Sequence, residues 1–377
     1  MRFPRKDHLK PVRFLWNYLR FLAAVQLLPA LESGEETLVG GQAVLEGVMM
    51  RSPHAWAIAC RKPSGEVVTM SEPLERPSER HKWMAWPLLR GVMTLGYAMN
   101  LGYRALRFSA SVAIEDVMQA ENAEVATLGV VSSRQSATPV QITVPPTAVV
   151  VPPSAKAETR AKAAKLSNWL AIGNLLLSLA FFIFMYKYIP LLAATELKRI
   201  DPALGGRIIF NLIDGGVRLG LFLLFIWGVS LWKDIRRVYE YHGAEHKTVF
   251  AFENGDPLEV SAVQKYSTYH PRCGTSFLMT VMLISIGFYM LIPFTTFWAR
   301  FASRIVLLPI IAGVSYEIIR FAAKHRGSLF ALMTAPGLWL QRITTKPPSD
   351  DQAQCAITAL DQAMALEKEH GGELVIA

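Results

Sequence analysis

Three side chains that can bind or activate small groups lie close together in the sequence, at His242, Glu245 and His246. If residues 232–250 form a helix, positions i, i+3 and i+4 place these side chains on one face. Two imidazoles one helical turn apart can bind one metal ion, and a carboxylate between them can act as a base or as a further ligand. The spacing therefore predicts a metal site. The alternative is an amphipathic helix whose histidines only make hydrogen bonds.

A second group of donors follows at His270 and Cys273, with two residues between them. This spacing allows a tight turn to present a nitrogen and a sulfur ligand together. Zinc, or another divalent transition metal, is the cofactor that such donors favour. The seven candidate residues are metal ligands His242, His246, His270, Cys273 and Glu317, and catalytic residues Glu245 and Glu46.

Two of these candidates lie far from the histidines in the sequence. Glu317 lies in the last apolar segment, on the order of 7 Å below its cytoplasmic end, within reach of the histidines. A salt bridge to Arg320 is the alternative for that carboxylate. Glu46 could reach a shared site from its glycine-rich stretch or be a surface carboxylate. We expect Asp214, near the opposite end of another apolar segment, to lie outside the site.

Composition indicates a membrane protein. Hydrophobic residues make up 52% of the 377 residues and are gathered into long runs. The net charge of +9 comes mostly from basic residues that flank these runs, where they set topology and attract lipid headgroups. Nucleic acid is therefore not an expected partner. Three widely spaced cysteines imply no disulfide framework.

Four apolar segments are close to the roughly 20 residues that cross a bilayer. They cover residues 169–194, 207–232, 276–298 and 304–322. The expected fold is an α-helical polytopic membrane protein with about four transmembrane helices, further interfacial amphipathic helices and a small cytoplasmic β-containing region. The lipid bilayer is the expected partner, together with other membrane proteins.

The remaining segments complete the predicted organisation. Residues 1–36 form a basic amphipathic segment, 37–85 a small β-rich region, 86–118 an interfacial helix and 119–166 a disordered, proline-rich linker. Residues 167–323 form the membrane domain with its His/Cys loop at 233–275, and 324–377 form interfacial and soluble helices. Gly40-Gly41 is predicted to allow close approach of another backbone rather than to bind phosphate, because no P-loop Lys-Ser/Thr follows.

Basic residues are concentrated before the first span, between the second and third spans, and after the fourth span. The positive-inside rule then places both termini and the donor loop in the cytoplasm of a bacterial cell, with the chain in the cytoplasmic membrane. A cytoplasmic location also keeps Cys273 reduced.

Several motifs resemble those of the YqhQ-like family of bacterial multi-pass membrane proteins. They are residues 40–49 (GGQAVLEGVM), 241–247 (YHGAEHK), 270–277 (HPRCGTSF), 336–341 (PGLWLQ) and 344–346 (TTK). The family is one of unknown function, and some of its members are catalogued as predicted metal-dependent enzymes. The resemblance implies a multi-pass membrane protein and supplies no substrate.

Two function classes remain open. In the first, a metal-dependent hydrolase uses Glu245 to activate water, and the order His-x-x-Glu-His matches an inverted zinc-protease motif whose third ligand is a distant glutamate. A complete His₃Cys set would instead fill a tetrahedral zinc site and make it structural. In the second, the chain is a non-enzymatic scaffold or a membrane-protein assembly or insertion factor. A transporter is disfavoured because no inverted repeat is evident.

Overall fold

The computed structural model describes residues 39–74, 86, 89–133, 173–174, 176–271, 273–324 and 335–370, and only the backbone of 115–133, 320, 322–324 and 370. The described residues form two compact units. The first lies within Met1–Ile114, Leu223–Pro293 and Val306–Ala377, and the second within Glu115–Phe222 and Phe294–Ile305.

A four-stranded antiparallel sheet opens the first unit. Its strands are β1 (Gly40–Val44), β2 (Gly47–Arg51), β3 (Ala55–Arg61) and β4 (Val67–Pro73), paired in sequence order. Each strand pairs with the next through a short connection. The last pair of the β1–β2 hairpin is Val44 with Gly47, and that of the β3–β4 hairpin is Arg61 with Val67. The sheet confirms the expected small β-containing region.

The helices follow in chain order. They are α1 (Leu89–Ser133), α2 (Leu176–Ile200), α3 (Arg207–Val229), α4 (Lys233–Glu253), α5 (Val260–Val263), α6 (Gly274–Leu291), α7 (Phe297–Val306), α8 (Leu308–Lys324), α9 (Ala335–Thr344) and α10 (Asp350–His370). A π-helical turn, Phe184–Tyr188, lies within α2.

The sheet is buried on both faces because its side chains alternate. Val48 and Ala57 point to one side, where they pack against α4 and α10. Met49 and Ile58 point to the other side, where they pack against the first half of α1. The sheet is thus the middle of three layers, and α4, which carries the predicted histidines, lies directly on it.

Three described helices are long and apolar enough to cross a membrane: α2, α3 and α6. The pair formed by α7 and α8 passes the same test when its two helices are taken together, although it bends by 49° at the break between them. Three or four candidate spans therefore agree with the mostly helical fold expected from the sequence.

A buried charged network lies inside the second unit. Asp214 on α3 accepts hydrogen bonds from Arg218 and, at 2.6 Å, from Arg304 on α7. Arg218 also donates to the carbonyl oxygen of Tyr186 in the π-helical turn, at 3.1 Å. These contacts join three apolar helices of that unit.

One boundary differs from the predictions. Residues 119–133 continue α1 instead of opening the linker, because alanine and glutamate favour helix there and the first proline comes only at Pro139. Residues 335–344 pack closely on α6, where a Cβ atom at Gly337 would lie 2.5 Å from the Cα of Ser276, and their position at a membrane interface stays a prediction. Segment 1–36 and the rest of the linker lie outside the described residues.

Candidate metal centre

His242 is held by the chain that follows α9. Its Nδ1 lies 2.8 Å from the carbonyl oxygen of Thr344, and its Nε2 lies 3.2 Å from Sγ of Cys273. A carbonyl oxygen only accepts, so Nδ1 carries the proton and Nε2 presents a lone pair to the thiol side. This is how metal-binding histidines are usually oriented.

His246, one turn further along α4, is oriented in the same way. Its Nδ1 lies 2.5 Å from the carbonyl oxygen of Thr268. Its Nε2 is buried and makes no hydrogen bond of ordinary geometry within the described residues. Burial, with a contribution from His242, lowers the pKa of His246 and favours the neutral imidazole that binds metals.

Cys273 completes a group of three donors. It is the N-cap of α6, where its Sγ accepts from the backbone N–H of Thr275 at 3.4 Å. The ligand atoms of His242, His246 and Cys273 all lie within 4.8 Å of one another. The structure thus brings together three of the five predicted metal ligands.

Glu245 lies between this donor group and the sheet. One of its carboxylate oxygens is 3.4 Å from Nε2 of His246, and the carboxylate accepts a hydrogen bond from the backbone N–H of Gly41. Burial raises the pKa of Glu245, while His242 and His270 oppose that shift. The carboxylate is therefore next to the donors but not one of the three.

Gly41 explains how the sheet approaches so closely. A Cβ atom there would lie 2.6 Å from the carbonyl oxygen of Met49 and 2.7 Å from Cγ of Glu245. Only glycine leaves room for this contact. The predicted close approach of another segment to the Gly-Gly pair is confirmed at Gly41.

His270 lies near the group but is not one of its three donors. Its Nε2 lies 3.5 Å from an oxygen of Glu253, and its ring packs edge-to-face on Phe250 at 4.6 Å between centroids. The centres of the His270 and His246 rings are 5.6 Å apart. The structure therefore places His270 beside the donor group rather than in it.

The structure does not bring Glu317 or Glu46 to the donors. Arg90 on α1 binds the carboxylate of Glu317 with both arms of its guanidinium group, so this carboxylate is already engaged. Glu46 is bound by Arg237, and at 3.3 Å by the hydroxyl of Tyr241. Glu46 has a φ of 52°, in the left-handed region that is unfavourable for a glutamate.

Gln341 positions the second motif and was not among the predicted site residues. Its side chain accepts from the backbone N–H of His270 and donates to the carbonyl of the same residue, both at 2.8 Å. It also donates to the hydroxyl of Ser276 at 3.0 Å. A glutamine within the apolar sequence of α9 is the signal that could have identified it, because a buried amide needs partners.

Gly243 fixes the chain that holds His242. A Cβ atom at Gly243 would lie 2.0 Å from the carbonyl oxygen of Lys346, and the N–H of Lys346 donates to the carbonyl of Tyr239 at 2.9 Å. Residues 344–346 therefore lie directly against α4. This contact keeps the Thr344 carbonyl at Nδ1 of His242.

Comparison with known proteins identifies a sequence family and one relative. Residues 86–366 match a family described as protein of unknown function (DUF1385). The uncharacterized protein YqhQ of Bacillus subtilis (strain 168) is 30% identical over 330 residues, covering 87% of this chain and 92% of that protein. The chain belongs to this YqhQ-like family. No solved structure matches it.

Proposed function

We propose that the chain is a membrane-embedded metalloprotein that binds Zn²⁺, or another divalent transition metal, through His242, His246 and Cys273. One observation carries the proposal: three ligand atoms of suitable type lie within 4.8 Å of one another. Both imidazoles are also oriented by backbone carbonyls in the way that metal-binding histidines require.

A second observation, the buried Nε2 atom of His246, also fits a bound metal. The buried Nε2 of His246 has no hydrogen bond of ordinary geometry within the described residues, and its polar neighbours there are the Cys273 thiol and a carboxylate oxygen of Glu245 at 3.4 Å. A buried polar atom without a good hydrogen bond costs about 1–3 kcal/mol. A bound cation would satisfy this nitrogen and would favour the thiolate form of Cys273.

Three protein ligands are the number typical of catalytic zinc, which keeps its fourth position for water or substrate. Bound zinc lowers the pKa of water and polarises the group under attack. Glu245, next to His246, is the residue placed to accept the proton of that water. In such a hydrolysis the water oxygen would bond to the electrophilic atom while the bond to the leaving group breaks, and the proton taken up by Glu245 would pass to that leaving group.

A structural site is the second candidate, and the arrangement of the segments favours it. His242 links α4 to Thr344, His246 links it to Thr268, and Cys273 begins α6. A metal here would fasten α4 to the start of α6, closing the loop of residues 233–275. If His270 turned inward, it would complete a closed tetrahedral site. The protein would then act as a membrane scaffold or assembly factor.

We place the protein in the cytoplasmic membrane of a bacterium, with both termini and the donor cluster in the cytoplasm. The candidate spans, the basic residues between them and the bacterial relative support this location.

Elemental mass spectrometry of the detergent-purified protein tests the proposal. We expect near-stoichiometric metal in the wild type and its loss in His242→Ala and Cys273→Ala, with no loss in the matched control His54→Ala. If His270→Ala retains the metal, the site has three protein ligands and an open fourth position. If His270→Ala loses the metal, the site is the closed structural one. A folded wild-type protein that neither contains nor takes up metal would overturn the proposal.

Glu245→Gln separates the two candidate functions, since it removes the base but none of the three donors. For an enzyme we expect this variant to keep its metal and lose function in a cell-based complementation assay. For a structural site we expect function to survive wherever metal is retained.

A further inference from the structure

The length of α6 fixes the depth of the donor cluster. This candidate span has 18 residues, so at 1.5 Å per residue it is about 27 Å long, against about 30 Å of hydrocarbon. If a helix this short crosses the bilayer, both of its ends lie close to the edges of the hydrocarbon. Cys273, which caps its first turn, therefore lies at the edge of the hydrocarbon, and Nε2 of His242 is 3.2 Å from its sulfur.

The end of the preceding span carries the residues typical of a lipid–water interface. Trp227, Leu231 and Trp232 are 54%, 64% and 67% exposed, and the exposed cations Lys233 and Arg236 follow directly. Tryptophan and basic residues mark the headgroup level in this order. One loop joins α3 to α6, so if both helices cross, these residues and Cys273 lie on the same side of the membrane.

We propose that the donor cluster lies at the boundary between lipid and water and faces phospholipid headgroups, so that the molecule on which it acts is a membrane phospholipid. The action on phospholipid rests on the proposed function, whereas the position of the donor cluster at the membrane boundary does not. Two features of one unit lead to the same level: the N-terminal cap of α6 and the aromatic end of α3.

A nitroxide on Cys273 measures this position without any metal. The other two thiols are buried, and burial raises the pKa of Cys60 and of Cys355 to about 12, so labelling is directed to Cys273. Two controls use the Cys273→Ser background. Ser64→Cys lies in the exposed β3–β4 turn, and Leu278→Cys lies one turn inside α6 on an exposed position.

In vesicles of phosphatidylcholine and phosphatidylglycerol, we expect the accessibility of the Cys273 nitroxide to oxygen and to a water-soluble nickel complex to lie between the two controls. This corresponds to a depth within about 7 Å of the hydrocarbon edge. Accessibility equal to that of Ser64→Cys or of Leu278→Cys would overturn the proposed position.

The same label tests what the cluster faces. We expect it to broaden the ³¹P resonance of the lipid phosphates, whereas a label at Ser64→Cys leaves that resonance unchanged. Equal ³¹P linewidths for the two labels would refute the phospholipid ligand. If the labelled protein meets both expectations while the unlabelled wild type neither contains nor takes up metal, the proposed function alone is contradicted.

Discussion

At the residue scale, two backbone carbonyl oxygens decide which ring nitrogen of each histidine faces the thiol. The carbonyls of Thr344 and Thr268 accept from Nδ1 of His242 and His246. Each ring therefore keeps the tautomer whose Nε2 can bind a metal. The position of these carbonyls is therefore a further requirement of a metal site here, beside the histidines themselves.

Gly243→Ala tests the role of the Thr344 carbonyl. The new Cβ atom would lie 2.0 Å from the carbonyl oxygen of Lys346, so residues 344–346 must move away from α4. We expect metal affinity to fall about 10- to 100-fold, the usual effect of losing a group that orients a ligand. Competition with a chromogenic zinc chelator measures it.

Gly216→Ala is the matched control, because that helical glycine has nothing within 4 Å of the added Cβ atom. We expect it to bind metal like the wild type. Unchanged affinity in Gly243→Ala as well would show that the carbonyl of Thr344 does not orient His242.

The side-chain donors could be predicted from the sequence, but their partners could not. The spacing of His242, Glu245 and His246 needed only a helix to become meaningful, and that helix is present. Backbone carbonyls such as that of Thr344 leave no mark in a sequence. The engagement of Glu317 with Arg90, 227 residues away, is likewise a property of the folded chain.

At the element scale, the charged network of the second unit ties apolar helices together. Asp214→Asn removes the carboxylate that Arg218 and Arg304 both contact. Breaking a buried ion pair costs roughly 3–5 kcal/mol, so we expect a clearly lower Tm in detergent. Glu196→Gln, which alters the exposed Glu196–Arg199 pair, should leave Tm almost unchanged, and equal Tm values for both variants would contradict this role.

The docking of α10 on the sheet should depend on pH through Glu367. Burial by itself raises the pKa of this carboxyl, but hydrogen bonds from Ser52 and His54 outweigh burial and lower it below its ordinary value of 4.5. The unfolded chain therefore takes up the proton first, and the stabilisation is present above about pH 4.5 and lost as pH falls through the folded pKa.

Thermal unfolding between pH 3 and pH 7 measures this dependence. We expect Glu367→Gln to have a lower Tm than the wild type at pH 7 and the difference to shrink below about pH 4.5. The exposed Glu369→Gln serves as the control and should follow the wild type throughout. A difference that stays constant with pH would mean that the charge of Glu367 contributes nothing.

Helices and strands were easier to predict than their ends and neighbours. Hydrophobic runs identified the spans because hydropathy extends over many residues, and the glycine-bounded runs around Gly47 and Ala55 became strands. Hydropathy does not reveal the bend between α7 and α8, because the two helices pass the test for a span together; its sequence signal is Pro309, the second residue of α8.

At the scale of the whole molecule, contacts within the first unit constrain how often the chain crosses. Gly41 lies against Glu245, and Lys346 lies against Gly243. If the candidate spans cross a membrane, the sheet, α4 and the segment after α9 therefore lie on one side of it. An even number of crossings must separate each pair, which we expect to be α2 with α3, and α6 with the bent pair.

Labelling of single cysteines in the Cys273→Ser background tests this topology. With an impermeant maleimide on sealed vesicles, we expect Ser64→Cys and Ala365→Cys to react from one side, and Ala203→Cys and Thr295→Cys only from the other. All four positions are exposed. Reaction of Thr295→Cys from the same side as Ser64→Cys would mean that α6 and the bent pair do not cross.

The three-layer arrangement also determines when, during translation, the sheet can be covered by its helices. One face of β3 is covered by α10, and the sulfur of Cys355 donates to the carbonyl of Ala59, 296 residues earlier in the chain. At about 5–20 residues per second, the ribosome needs about 15–60 s to produce the covering helix after the strand. During that interval α4, which is made earlier, can cover only part of this apolar face. We therefore expect a chaperone or the membrane surface to shield the rest until translation is nearly finished.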